Sequence, residues 1–154
     1  MNVFVADEQS EPADVSTLRA LAISVLEAEE CPMGSEVSVM LVGDDDMAGY
    51  NQRFMQQTGP TDVISLPIEE LTPGRPPSTA PLGPPPMLGD VIIDPAYVRR
   101  QAKELEVEFE DEMALMVVHG LLHLLGYEHE GDADAERMEE RERQLLAAAG
   151  WQRR

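Results

Sequence analysis

Between residues 110 and 125, Met113, Leu115, Met116, Val117, Val118, Leu121, Leu122, Leu124 and Leu125 leave almost no polar face. An apolar run of that length with helical spacing reads as a helix buried on nearly every side, around which the rest of the chain is organised. His119 and His123 sit within this run, one turn apart. Gly126 follows as a left-handed C-terminal stop, which turns the chain sharply and folds Tyr127, Glu128 and His129 back toward the helix. The chain has 3 histidines, and all of them lie in residues 119–129.

Side chains at i and i+4 share a helix face, so both helical imidazoles reach a single point, and the return after Gly126 delivers the third. Three neutral histidines with a fourth position left to water is the donor set of a catalytic zinc site. A closed site of thiolates is excluded, because Cys31 is the only cysteine. The competing reading is of core histidines satisfied by hydrogen bonds, and for one histidine on an apolar helix it would be preferred. Three at this spacing around a glycine turn favour the metal, which also supplies buried imidazoles with a partner. The spacing H-x3-H-x2-G-x2-H is that of the metzincin proteases, but the residue after the first histidine, their general base, is Gly120 here. The spacing predicts the ion, and the missing carboxylate argues against proteolysis by that route.

The run from His119 through Gly120, Leu121, Leu122, His123, Leu124, Leu125, Gly126, Tyr127 and Glu128 to His129 resembles the signature of the YbeY endoribonucleases, HGxLHLxGYDH, with Glu128 in place of the usual aspartate. Three further segments agree in order: Asn51, residues 60–67, and residues 89–93. The resemblance implies a zinc-dependent endoribonuclease that cuts single-stranded RNA, with one Zn(2+) per chain held by His119, His123 and His129. It implies work on ribosomal RNA at the small-subunit 3′ end, in maturation and quality control, with the small ribosomal subunit and its proteins as partners. By the same resemblance Thr61, Asp62 and Ser65 line or support the site, although from sequence alone Asp62 reads equally as a turn residue. Glu128 either orients the metal-bound water or is simply the acidic residue of the turn. Many members carry an arginine just after the aromatic position held here by Phe54, whereas this chain has Met55. Arg53 is two positions away and points in another direction on a helix, so it does not inherit that role.

Length bounds the architecture: 154 residues is the size of one domain with a core of its own, so residues 1–154 are expected to form a single metal-dependent hydrolase domain. The start lacks a basic region and a long apolar run, and no segment is long and apolar enough to span a bilayer. With a single cysteine and no disulfide framework, the expectation is a soluble cytoplasmic protein with no membrane and no disulfide-linked partner. The formal charge of -19 excludes binding of long duplexes by charge alone. Much of the acidic excess lies in residues 104–112 and 128–142, which read as solvated helix faces and ends. Screening over about 8 Å lets a local basic patch still hold a phosphate. Arg99, Arg100 and Lys103 form the candidate patch for substrate, with a plain solvated helix face as the alternative.

Residues 2–8 read as an edge strand, and Asp14 caps an amphipathic helix built on Val15, Leu18, Leu21, Ala22, Val25 and Leu26. Residues 37–42 read as a strand covered on both faces, and Asp44, Asp45 and Asp46 open a helix running to about Gln56. A strand follows at 62–66, then a proline-dense surface insertion at 68–87, then a strand at 89–94. Pro95 opens a helix to Leu105, and a last helix spans 135–149, with Trp151 either covering the sheet or stacking a base. The fold class is α+β: one small mixed β-sheet packed with about five helices, the metal site on a central buried helix. The residues alone support a metal-dependent hydrolase in which the three histidines act through metal-bound water, and they leave metal hydroxide and the RNA 2′-hydroxyl as alternative nucleophiles. The alternatives to a nuclease are a metallopeptidase-like hydrolase and a non-catalytic ribosome-associated zinc protein.

Overall fold

A computed structural model describes residues 1–78 and 82–154; three residues of the proline-dense insertion, and with them part of that expectation, lie outside the described residues. The chain runs β1 (Asn2–Glu8), α1 (Val15–Ala28), β2 (Glu36–Val42), α2 (Asp44–Met55), β3 (Val63–Pro67), β4 (Met87–Ile93), α3 (Pro95–Leu105), α4 (Phe109–Leu124) and α5 (Asp132–Ala148). The strands form one mixed sheet in the order β1-β2-β4-β3. β1 and β2 run parallel with Val3 opposite Val37, β2 and β4 run parallel with Val39 opposite Val91, and β3 returns antiparallel to β4 with Ser65 opposite Val91. This is the expected α+β class, with one small sheet and five helices.

Alternation along the strands divides the core into two layers. Val3, Val37, Val39, Leu41, Val91 and Ile93 face the larger cluster, with Leu21, Val25 and Leu26 of α1 and nearly the whole of α4. On the opposite face Val42, Ile64 and Ile92 meet Met47 of α2 in a smaller cluster. Helix α4 is the centre of the larger layer: Met113 through Val118, Leu121, Leu122 and Leu124 are all buried. The expected N-cap of α1 holds, with Asp14 accepting from the Thr17 amide, and Asp94, read from the sequence as the end of a strand, caps α3 by accepting from the Tyr97 amide.

Three expectations are revised. The acidic stretches at 104–112 and 128–142 are not wholly solvated, since Glu112 and Glu142 are each 1% exposed. The proline-dense segment ends before Met87, which belongs to β4, and its first part is docked: Leu71 packs against the core and the Pro73 carbonyl accepts from Arg137 of α5. Trp151 packs against the larger cluster beside Phe109, Met113 and Leu18, covering helices α1 and α4 instead of the sheet.

Candidate metal centre and its cleft

The end of α4 builds the centre. Gly126, at φ 98°, takes the left-handed conformation that an L side chain resists, the Gly126 amide bonds the His123 carbonyl, and the Tyr127 amide bonds the Leu122 carbonyl. A side chain at 126 would also collide with the Leu71 carbonyl, so the turn is fitted to the segment docked over it. The closed turn brings His129 back: one nitrogen from each of His119, His123 and His129 lies within 4.8 Å of the others.

Hydrogen bonding fixes the tautomers of the two helical histidines. His119 Nδ1 lies 2.7 Å from Glu142 Oε2 and His123 Nδ1 lies 2.8 Å from the Tyr127 carbonyl, and both partners accept. Both Nδ1 atoms therefore carry the proton, and both Nε2 atoms present lone pairs. Those lone pairs face each other at 3.1 Å, an arrangement that is repulsive by itself and suited to a cation between them. Two nitrogens bound tetrahedrally to zinc at 2.0–2.1 Å stand about 3.3 Å apart, so the donor set fits that ion. Burial, and then the neighbouring His119, push the His123 pKa down to about 4, which keeps its ring in the neutral form that a ligand requires.

Both helical histidines are held from behind. Glu142 is buried, and burial works to raise its pKa, but the bonds from His119 and from Arg153 Nε at 3.0 Å outweigh it and hold the carboxyl below its ordinary value. This is the carboxylate–histidine pairing that fixes ring orientation in metal sites. Behind His123, the Tyr127 hydroxyl donates to Glu29 at 3.1 Å, and Arg141 closes on the same carboxylate at 2.5 Å. The loop carbonyl that holds His123 is thereby tied to the end of α1.

Gly120 has a structural cause. A Cβ there would lie 2.5 Å from Val91 Cγ1 and 3.3 Å from Ser65 Oγ, so glycine lets α4 settle onto β4 and β3. Ser65 Oγ donates to the Gly120 carbonyl at 2.9 Å across that contact. Position 120 faces the sheet and not the histidines, so it has no room for a carboxylate aimed at a metal.

The histidines open into a cleft of about 810 Å³. Thr61, Asp62, Ser65 and Glu128 line it. Asp62 accepts from the Val63 amide, the Thr61 hydroxyl and Gln101, while Glu128 is exposed, 4.0 Å from His123 Nδ1. Asn51 anchors the approach to β3 through the Gly59 carbonyl, and Met55 faces the cleft. Arg53 instead lies over the Phe54 ring. Arg99, Arg100 and Lys103 do not line the cleft: Arg99 pairs with Glu11 and stacks 4.0 Å over Phe109, and Arg100 makes two bonds to Asp44 at 3.1 and 3.0 Å. The cations that do line it are Arg153 and Arg154, which sequence reasoning passed over together with Glu112 and Glu142.

The family model described as Endoribonuclease YbeY matches residues 4–150. A protein named Endoribonuclease YbeY from Thermobifida fusca is 41% identical over 99% of this chain and 96% of its own length. One of the same name from Acidothermus cellulolyticus is 41% identical over 89% of this chain and 84% of its own. The solution structure of TM1509 from Thermotoga maritima superposes with a TM-score of 0.64 at 27% identity, covering 96% of this chain and 88% of that one. A match that begins in β1 and ends just after α5, with relatives of that name at 41% identity over most of both chains, places this chain in the YbeY endoribonuclease family.

Proposed function

We propose that the chain is a zinc-dependent endoribonuclease that cuts single-stranded RNA and acts in the cytoplasm on ribosomal RNA, in maturation and quality control at the small-subunit 3′ end. Family membership supports the nuclease activity. The facing Nε2 lone pairs of His119 and His123, 3.1 Å apart, are the observation that carries metal dependence. His119, His123 and His129 hold the ion. When bound, zinc supplies Lewis acidity, polarising a phosphoryl oxygen and making water a nucleophile near neutral pH.

The rest is the work of the chain's own residues. Glu142 and the Tyr127 carbonyl hold the two helical imidazoles in the ligating tautomer. Ser65 locks the strand wall to α4, and Asp62 shapes the start of β3 beside it. Glu128 is a supporting carboxylate at the rim. The placement of position 120 against Val91 gives the peptidase alternative no general base where that route needs one.

The test is elemental analysis of the purified protein for zinc, then incubation with labelled single-stranded RNA, with and without chelator, beside a His119→Ala variant. Cleavage that requires both the ion and His119 is expected. Bound zinc with intact RNA at every protein concentration points instead to a ribosome-associated binding role, and absence of metal removes the basis of the proposal. Product end groups separate attack by water from attack by the RNA 2′-hydroxyl.

A further inference from the structure

The histidine cleft is lined by Asp62, Glu128, Glu139 and Glu142, and among the described lining residues only Arg153 and Arg154 carry permanent positive charge. The two arginines are held differently. Arg153 has a side chain only 14% exposed; its Nε donates to Glu142, and its other donors meet the Arg154 carbonyl and approach Glu139. It is a positioning residue, acting on His119 through Glu142. Arg154 has a side chain 37% exposed, and its Nε bridges both oxygens of Glu112 at 2.9 and 3.1 Å. Its two terminal amino groups make no hydrogen bond to any described residue.

Glu112 is a rigid anchor. It is 1% exposed, and Gln101 donates to it at 2.8 Å while also reaching Asp62. A guanidinium fixed through Nε to such a carboxylate presents its remaining fork in one orientation, and that planar fork matches two oxygens of a phosphodiester. Lysine lacks the fork, and a freely swinging arginine loses more side-chain entropy on engagement.

We propose that Arg154 binds a backbone phosphate of the single-stranded RNA in this cleft, and that Glu112 is the buried anchor that aims it. The assignment rests on the ribonuclease reading above. Steady-state cleavage of a labelled oligouridylate by the metal-loaded protein tests it. Arg154→Ala raises KM about tenfold, the size of one charge-assisted contact, with kcat within about twofold. The slope of log(kcat/KM) against log salt becomes shallower by about 0.7, the share of one phosphate on a single strand. Arg154→Lys falls between the two.

Because Arg154→Ala leaves Glu112 buried without its partner, that variant also loses thermal stability. Glu112→Gln/Arg154→Ala removes the orphaned charge; its melting temperature recovers while KM stays high. Unchanged KM and salt slope in Arg154→Ala, or a wild-type KM in the double variant, overturns the assignment and leaves Arg154 as a counter-charge to Glu112. Wild-type protein that never cleaves the RNA overturns the ribonuclease reading and this assignment together. Wild-type cleavage with an unaltered Arg154→Ala overturns the arginine's role alone.

Discussion

Alanine substituted for Gly120 and for Gly49 is the same chemical change in two helix interiors, and its effects diverge because of what lies beyond the new methyl group. Around Gly49 in α2 nothing stands within 4 Å of an added Cβ. Gly49→Ala therefore gains helix propensity alone, about 0.8–1 kcal/mol, or roughly 2–4 °C in melting temperature for a chain of this size. At Gly120 the Cβ lies 2.5 Å from Val91 Cγ1 and 3.2 Å from its Cγ2. Val91 is completely buried, β-branched, and paired on both sides, with Val39 of β2 and Ser65 of β3, so it has no rotamer to retreat into. Forcing a methyl into such a contact costs about 1–3 kcal/mol. The propensity gain is common to both variants and cancels between them. Gly120→Ala should then be less stable than Gly49→Ala by about 1–3 kcal/mol in urea unfolding. Both melts are run with chelator, so that metal binding to the native state does not mask the difference. Equal stabilities would refute the claim that position 120 is glycine because α4 sits directly on the sheet.

Glu142→Gln weakens zinc affinity by about 10–100-fold in competition against a chelating dye, because the buried carboxylate behind His119 is lost; unchanged affinity means Glu142 does not tune the ligand. In metal-free protein, acidification protonates His123 first in the unfolded chain, because its folded pKa is depressed to about 4. Its contribution is complete above about pH 6.5 and fades as pH falls toward 4, by at most about 3 kcal/mol, so the stability–pH slope in that window flattens in His123→Gln, and an identical slope in the variant contradicts this. Asp94 has the opposite sign: burial, and then Asp44 beside it, raise its pKa to about 7, so stability tied to its protonated form is lost as pH rises through that value. Asp94→Asn, which keeps an acceptor for the Tyr97 amide, stabilises more at pH 8 than at pH 5 in chemical denaturation, and an equal gain at both pH values would count against a strained carboxylate.

The elements were legible where one period dominates over many residues. Helix α4 is apolar on every side and α1 repeats at helical spacing, so both were placed to within a residue or two. The strand order β1-β2-β4-β3 was not readable, because parallel pairing between β2 and β4 joins segments that share no local turn. The three histidines were legible because a short motif contains both the helix spacing and the glycine turn. Their supports were not, because Glu142 lies among Glu139, Glu140 and Arg143 and looks like part of a solvated face. The signal was present in the phase of the helix. Glu142 falls four residues after Met138 and three before Leu145, on the one stripe of α5 that is buried. Glu112 hides in the same way beside Met113 at the start of α4. Arg153 and Arg154 follow the last helix, where no periodicity constrains which way a side chain points.

Under the proposed function, the placement of these charges is what lets a chain of formal charge -19 accept a polyanion. Each cationic side chain on the cleft wall is answered by a buried carboxylate, Arg153 by Glu142 and Arg154 by Glu112. The wall thus offers directional donors without a positive field. Exposed carboxylates such as Glu128 at the rim disfavour any strand that lies across the surface, and their repulsion is screened beyond about 8 Å at physiological salt. Duplex binders work the other way, by releasing counterions along an extended basic face. Here attraction is confined to the depth of the cleft, where a divalent ion at the histidines would be the strongest uncompensated positive charge. A substrate must bring one phosphate to that depth, which favours a single strand that can bend its backbone into a pocket of about 810 Å³. Under the proposed function the acidic surface selects for such strands, and selection and chemistry would depend on the same three histidines.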